Sequence, residues 1–313
     1  MADSRRPSQR LGKIGTVLGE YNLWAERFLG RKPGRLSWLS GNFKSIGAWK
    51  KTASARVWEL LAAPPLPRVK PKIVAKGRYD GVIWEKYQWQ MPWGPPTEAV
   101  FLKPASAKPG QRLPGVLALH CHGGNKYHGW QKIADISRPS HPTLLRYRNC
   151  YGGLAWANEL AKRGYAVLVP DAFLFGSRRI HVDEIYEEIR AGVKDPGPHG
   201  TPADIEAYNE WAAMQEHYIA KALFCAGTTW PSLFLREDQA ALDVLCSRRD
   251  VDAKRVGCGG LSGGATRTIF LAGLDERVRC CFCTGFFTTW SDMVRDKAWM
   301  SICSAPESAN PAM

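Results

Sequence analysis

Residues 256–265, VGCGGLSGGA, read as a strand that turns sharply into a helix around a single serine. The five residues from Gly260 to Gly264 fit the pattern G-x-S-x-G, which presents a serine hydroxyl on a tight strand-to-helix bend. The spacing has a physical reason. A serine on a strained turn needs almost bare residues two before and two after it, so that the backbones can pass. The flanks suit this: 252–258 give a loop and a short strand, and 265–273 read as a helix closed by Gly273. Ser262 is therefore a candidate nucleophile. The plainer alternative is a glycine-rich turn that packs a helix on a sheet.

Two further segments belong with the first. Residues 115–127, GVLALHCHGGNKY, are an apolar strand that runs into a His-Gly-Gly loop about 140 residues before the serine. Residues 151–171, YGGLAWANELAKRGYAVLVPD, give an amphipathic helix stopped at Gly164 and then a buried strand that ends at Asp171.

Together the three segments resemble the α/β-hydrolase superfamily and, within it, the dienelactone-hydrolase-like and acetyl-xylan-esterase-like branch. The resemblance covers roughly residues 52–295. It implies a doubly wound, mostly parallel sheet with antiparallel opening strands. It also implies an oxyanion hole at the His-Gly-Gly loop, with the backbone N–H groups of Gly123, Gly124 and Gly263 as candidates. Dienelactone hydrolases proper carry cysteine at the bend. The serine here points to an esterase working through an acyl-enzyme on Ser262, or to an acyl-peptidase. No cofactor is implied.

One departure from the family pattern matters. The family's triad runs serine, acid, histidine along the chain. All seven histidines here (120, 122, 128, 141, 181, 199 and 217) precede Ser262, and 51 residues follow it. The resemblance calls for two more strands, an acid-bearing turn and a histidine loop. We therefore expect the chain to be the N-terminal three-quarters of a hydrolase, its last strands missing. Loss of a triad histidine costs on the order of a millionfold in turnover, so a non-catalytic remnant is a standing alternative. His120 and His122, at the mouth of the loop strand, are read first as loop braces and second as groups near Ser262. Asp292 is a candidate acid, or else a helix-capping aspartate. His122, Arg178 and Arg179 are candidates for the substrate pocket. For the two arginines, structural pairing with Asp171 or Glu184 is the competing expectation.

Composition narrows the partners. No stretch approaches 18 consecutive apolar residues, and residues 1–9 are polar and basic with no apolar segment behind them. A cytoplasmic protein without a membrane span is expected. Nine cysteines, odd in number and scattered along the chain, favour reduced thiols over a disulfide framework. The cysteines at 280, 281 and 283 sit in an expected buried strand, where consecutive residues face opposite ways and cannot share an ion. No metal is expected. Of the net charge of +14, +12 falls within residues 1–76. No basic run or nucleic-acid motif accompanies it, so no specific nucleic acid is expected. The expected partner is a small or carbohydrate ester. Tryptophans 84, 89, 93, 130, 156, 230 and 290 are read mainly as packing residues, with sugar stacking as the alternative.

The organisation follows. Residues 1–51 form a basic, aromatic-containing N-terminal arm, partly disordered, and 52–313 form an incomplete α/β-hydrolase domain. Strands are expected at 82–90, 97–103, 113–119, 165–169, 255–259 and 277–283, and helices at 52–61, 181–194, 203–225 and 265–273. Residues from about 176 to 230 exceed a simple crossover and read as a helical insertion over the ligand-binding edge of the sheet. A sheet ended early leaves an open edge, which invites self-association.

Overall fold

The structure is a computed structural model that describes residues 18–28, 33–137 and 140–285. It divides into two compact units, one drawn mainly from residues 1–60 and one from 61–286. Asp292 and Trp290 lie outside the described residues.

The described part of the first unit holds α1 (Asn22–Arg27), a 3-10 turn at Trp38–Ser40 and α2 (Ile46–Leu61). The helix expected at 52–61 begins six residues earlier, because the Ser45 hydroxyl accepts the Ala48 N–H and caps it. Trp49 donates to the Leu36 carbonyl at 2.8 Å and packs edge-on against Trp38. Trp24 and Phe28 pack on each other while staying more than half exposed.

The second unit is built on a seven-stranded sheet of order β1-β2-β3-β5-β4-β6-β7. Its strands are β1 (Lys72–Tyr79), β2 (Val82–Trp89), β3 (Thr97–Pro104), β4 (Leu113–Leu119), β5 (Ala166–Pro170), β6 (Val251–Leu261) and β7 (Val278–Thr284). β1, β2 and β3 are antiparallel, and β5, β4, β6 and β7 run parallel. The central β5 is buried at every position, as expected of a strand covered on both faces. The helices are α3 (Pro142–Tyr147), α4 (Trp156–Lys162), α5 (Glu187–Arg190), α6 (Pro202–Cys225), α7 (Trp230–Ser247) and α8 (Gly263–Leu274). The helix α4 covers β3 and β5, with Ala157 and Ala161 against Val100, Val167 and Val169. The chain then reverses its direction across the sheet, and α7 and α8 pack on each other and on β4 and β6.

Three expectations change. β1 had no apolar period to reveal it. Its residues are mostly exposed, and it pairs with β2 through the Asp80-Gly81 turn, which has positive φ at both residues. The helix expected at 181–194 shrinks to a 3-10 turn at Val182–Glu184 and the four residues of α5. There, side chains take carbonyls that a longer helix needs: Arg190 binds Ile185 O and Trp211 binds Ile189 O. β7 forms the sheet edge among the described residues and is largely exposed rather than buried, Cys280 and Cys281 included. No helix among the described residues is long and apolar enough to cross a membrane.

The segment between β5 and α7 carries a small core of its own, with Val182, Tyr208, Trp211 and Ala212 packed against Tyr127. α6 starts on a capping box in which Thr201 and Asp204 satisfy each other's backbone N–H groups. This seats a 24-residue helix beside the loop that follows β4.

Candidate functional site

Ser262 stands between the end of β6 and the first turn of α8 with φ 54° and ψ −118°, a conformation that side-chain-bearing residues rarely adopt. Its N–H donates to Thr284 O at 2.8 Å, and its carbonyl accepts from Thr266 N at 3.0 Å inside α8. The bend is tight. A Cβ on Gly260 would lie 2.3 Å from Leu119 O, and one on Gly264 would lie 2.1 Å from the same oxygen. Both outer glycines of the pattern thus press on the last carbonyl of β4. α8 is twelve residues long, and its positive dipole end points at the serine turn.

The loop after β4 meets this turn. A Cβ on Gly263 would sit 2.9 Å from His122 N and 3.1 Å from His122 Cβ. Of the N–H groups expected to face an anion, that of Gly124 is already engaged, donating to His122 Nδ1 at 3.0 Å. The N–H groups of His122, Gly123 and Gly263 have no hydrogen-bond partner among the described residues. The set of available donors is corrected accordingly: His122 N joins it and Gly124 N leaves. The closeness of His122 N to Gly263 depends on how two distant segments pack, which the His-Gly-Gly pattern does not encode.

His122 itself is a brace. An N–H can only donate, so Nδ1 accepts from Gly124 and the neutral ring carries its proton on Nε2. That proton goes to Glu216 Oε1 at 2.5 Å. Burial lowers the His122 pKa, with the Glu216 bond opposing, so the ring is neutral. Burial alone would raise Glu216. Its bond to His122 and the nearby Lys126 charge outweigh that and bring it down to about 2, a firm carboxylate. Lys126, fully buried and lowered to about 8 by desolvation, forms an ion pair with the same carboxylate. Seven residues earlier on the same face of α6, Asn209 Oδ1 accepts from Lys126 N at 2.8 Å and Tyr127 N at 2.9 Å.

On its other side the loop is tied by Lys132. The Nζ donates to Cys121 O at 2.9 Å and to His122 O at 3.1 Å, and the side chain is completely buried. Desolvation lowers its pKa to about 7, yet even the neutral amine keeps two N–H donors for the two carbonyls. Phe175 lies beneath both lysines, 3.9 Å from Lys126 Nζ and 4.4 Å from Lys132 Nζ.

The remaining candidates fall elsewhere. Arg178 is buried and paired with Glu237 at 2.7 Å, and it also donates to Trp93 O. Arg179 pairs with Asp195 at 2.7 Å. Neither partner is the Asp171 or Glu184 expected from sequence, and both guanidinium charges are committed to structure. Asp171 instead accepts from Trp130 N and Ser177 N at 2.6 and 2.7 Å; burial, opposed by these bonds, pushes it up to about 6. His120 is buried with Nδ1 on Cys121 O, and His128 and His141 converge on Thr143. Among the described residues no histidine hydrogen-bonds the Ser262 hydroxyl, and no cluster suited to a metal ion occurs. A cleft of about 500 Å³ opens between α3 and α6, with Gly123 and Gly124 in its wall beside Thr143, Arg146, Asn209 and Glu210.

No family model matches the chain. Over 187 residues, 58% of this chain, it is 25% identical to the Bacillus subtilis (strain 168) protein named "Putative hydrolase YtaP". The match spans 46% of that protein, less than half its length. In structure it is similar to a Bacteroides fragilis NCTC 9343 protein described as a "putative acetyl xylan esterase". The TM-score is 0.66 and the identity 17%, covering 92% of this chain and 69% of that one. With the reversed strand order, the antiparallel opening strands and the serine turn between β6 and α8, this likeness identifies the architecture: the chain has the α/β-hydrolase fold.

Proposed function

We propose that the protein is a serine hydrolase of carboxylic esters, with carbohydrate acyl esters as its substrate class. The single observation behind this is the strained Ser262 turn packed against the donor-bearing loop. In this reading Ser262 Oγ attacks the ester carbonyl carbon and passes its proton to a base. The carbonyl oxygen becomes an anion that accepts from Gly263 N–H and from His122 or Gly123 N–H, with the α8 dipole adding to the field. The alcohol leaves with a proton, and water then releases the acid from the serine. Preorganised donors of this kind are each worth about 10²–10³ in turnover. Arg178 and Arg179, expected in the pocket, are replaced by the cleft beside Gly123 and Gly124, whose hydroxyl, amide and charged groups suit a hydroxylated alcohol. The neighbour described as an acetyl xylan esterase supports the same class. Asp292 remains a candidate for the acid.

A second reading, a hydrolase fold without turnover, is favoured by one observation: both ring nitrogens of His122, the histidine against Gly263, are occupied. Assays of acetate release from acetylated xylo-oligosaccharides and from p-nitrophenyl acetate separate the two. The esterase reading expects hydrolysis that Ser262→Ala abolishes. Equal activity in Ser262→Ala removes that serine from the chemistry, and a folded, inactive wild type favours the second reading.

A further inference from the structure

We infer that Lys132 is a positioning residue that aims the N–H groups of His122 and Gly123 at the serine turn. This rests on the reading of Ser262 as a nucleophile. A trans peptide is planar, and its C=O and N–H point in opposite directions. Holding the Cys121 carbonyl therefore fixes the His122 N–H, and holding the His122 carbonyl fixes the Gly123 N–H. Lys132 Nζ holds both, at 2.9 and 3.1 Å, so both N–H groups are turned away from the amine. Gly263 lies against the first of these N–H groups, close enough that a Cβ there would be 2.9 Å from His122 N.

The residue type fits the task. Two successive carbonyls converge on one point, and a single backbone N–H cannot satisfy both, whereas a lysine amine carries two or three donors. The lysine is itself fixed. Its N–H donates to Gly129 O at 3.0 Å, its carbonyl accepts from Arg148 Nε at 3.3 Å, and Phe175 packs on its Nζ. Each carbonyl also has a longer second contact, Asn125 N–H to His122 O at 3.2 Å and His120 Nδ1 to Cys121 O at 3.2 Å, and among the described residues the Lys132 amine is the one group that ties the two carbonyls together.

The test compares the full chain with Lys132→Met and Lys132→Arg in the rate at which a fluorophosphonate labels Ser262, a reaction that also develops charge on oxygen. Lys132→Met is expected to label about 100-fold more slowly. Lys132→Arg, which can still donate to both carbonyls, is expected to recover at least about tenfold of that loss. Equal rates for wild type and Lys132→Met overturn the inference. So does a folded Lys132→Arg as slow as Lys132→Met. Should Lys132→Met fail to fold, NMR of the 15N-lysine wild type decides: scalar couplings from Nζ to the Cys121 and His122 carbonyl carbons support the inference, and their absence overturns it. A wild type that never labels refutes the nucleophile reading instead, and the same couplings then test the loop orientation by themselves.

Discussion

The serine turn and the loop facing it lie in contact at the end of β4, yet they are held by different means. The turn is held by backbone contacts. Gly260 and Gly264 close on Leu119 O, and the Ser262 backbone is pinned to Thr284 and Thr266. The loop is held from afar, by Glu216 and Asn209 on α6 and by Lys132 behind it, 94 and 83 residues away for the two α6 contacts. The contrast teaches that the bend rests on close backbone approach between neighbouring strands, whereas the loop facing it rests on buried side chains of α6 and on Lys132. One can be altered without the other.

The largest expected effect breaks the half held by backbone. Gly264→Ala puts a methyl group 2.1 Å from a backbone oxygen that cannot move without shifting β4. A loss of about 4 kcal/mol or more is expected, seen as a collapse of the denaturant midpoint. A midpoint close to wild type would mean that the bend is looser than described.

Glu216→Leu breaks the distant half. It leaves buried Lys126 without its counter-charge and His122 Nε2 without an acceptor, for an expected loss of about 3 kcal/mol. Asn209→Ala, which frees two backbone N–H groups, should cost about 1–2 kcal/mol. Both changes should reduce the fluorophosphonate labelling rate of Ser262 more than they lower stability alone explains. Labelling at the wild-type rate in stably folded variants would separate α6 from the site.

A pH series sharpens the same half. The folded pKa of Glu216 lies near 2, below the 4.5 of an unperturbed glutamate. The unfolded chain therefore binds this proton more readily, and Glu216 contributes stability that is full above pH 4.5 and fades as pH falls toward 2. Melting curves of Glu216→Gln should show a flatter acid limb than wild type over this window. Parallel limbs would rule out the clamp as the origin.

The smallest effect returns to the turn. Glycine tolerates φ near +54° without a side-chain clash, so Ser262→Gly should raise stability by about 1 kcal/mol while removing labelling. Unchanged or lower stability would deny that the serine is held under strain.

The same contrast explains what the sequence disclosed. The G-x-S-x-G bend, the strands from 97 to 119 and 166 to 170 and the long helix α6 follow from short-range rules: bare residues for close approach, apolar runs for buried strands, a capping box for a helix start. β1 escaped notice because the exposed strand KIVAKGRY, with its apolar residues 73–75 consecutive, has no buried face to impose a period. The 181–194 helix was over-read because Arg190 and Trp211 claim its carbonyls through tertiary contacts. The pairing of Arg178 with Glu237 spans 59 residues and left no local mark. Glu216, Asn209 and Lys132 were missed for the same reason. A polar side chain in a helix looks alike whether it meets water or a distant loop, and only the near-complete burial of Glu216 and Lys132 tells those two apart. For Glu216 and Lys126 a buried opposite charge was the available signal, but it requires the three-dimensional fold to be read.

The most direct test of the account is a crystal structure of the phosphonate adduct. The account predicts a bond from Ser262 Oγ to phosphorus, with the phosphonyl oxygen about 3 Å from Gly263 N and from His122 N or Gly123 N. A phosphonate bound elsewhere, or bound to Ser262 with its oxygen turned away from these three N–H groups, would contradict it.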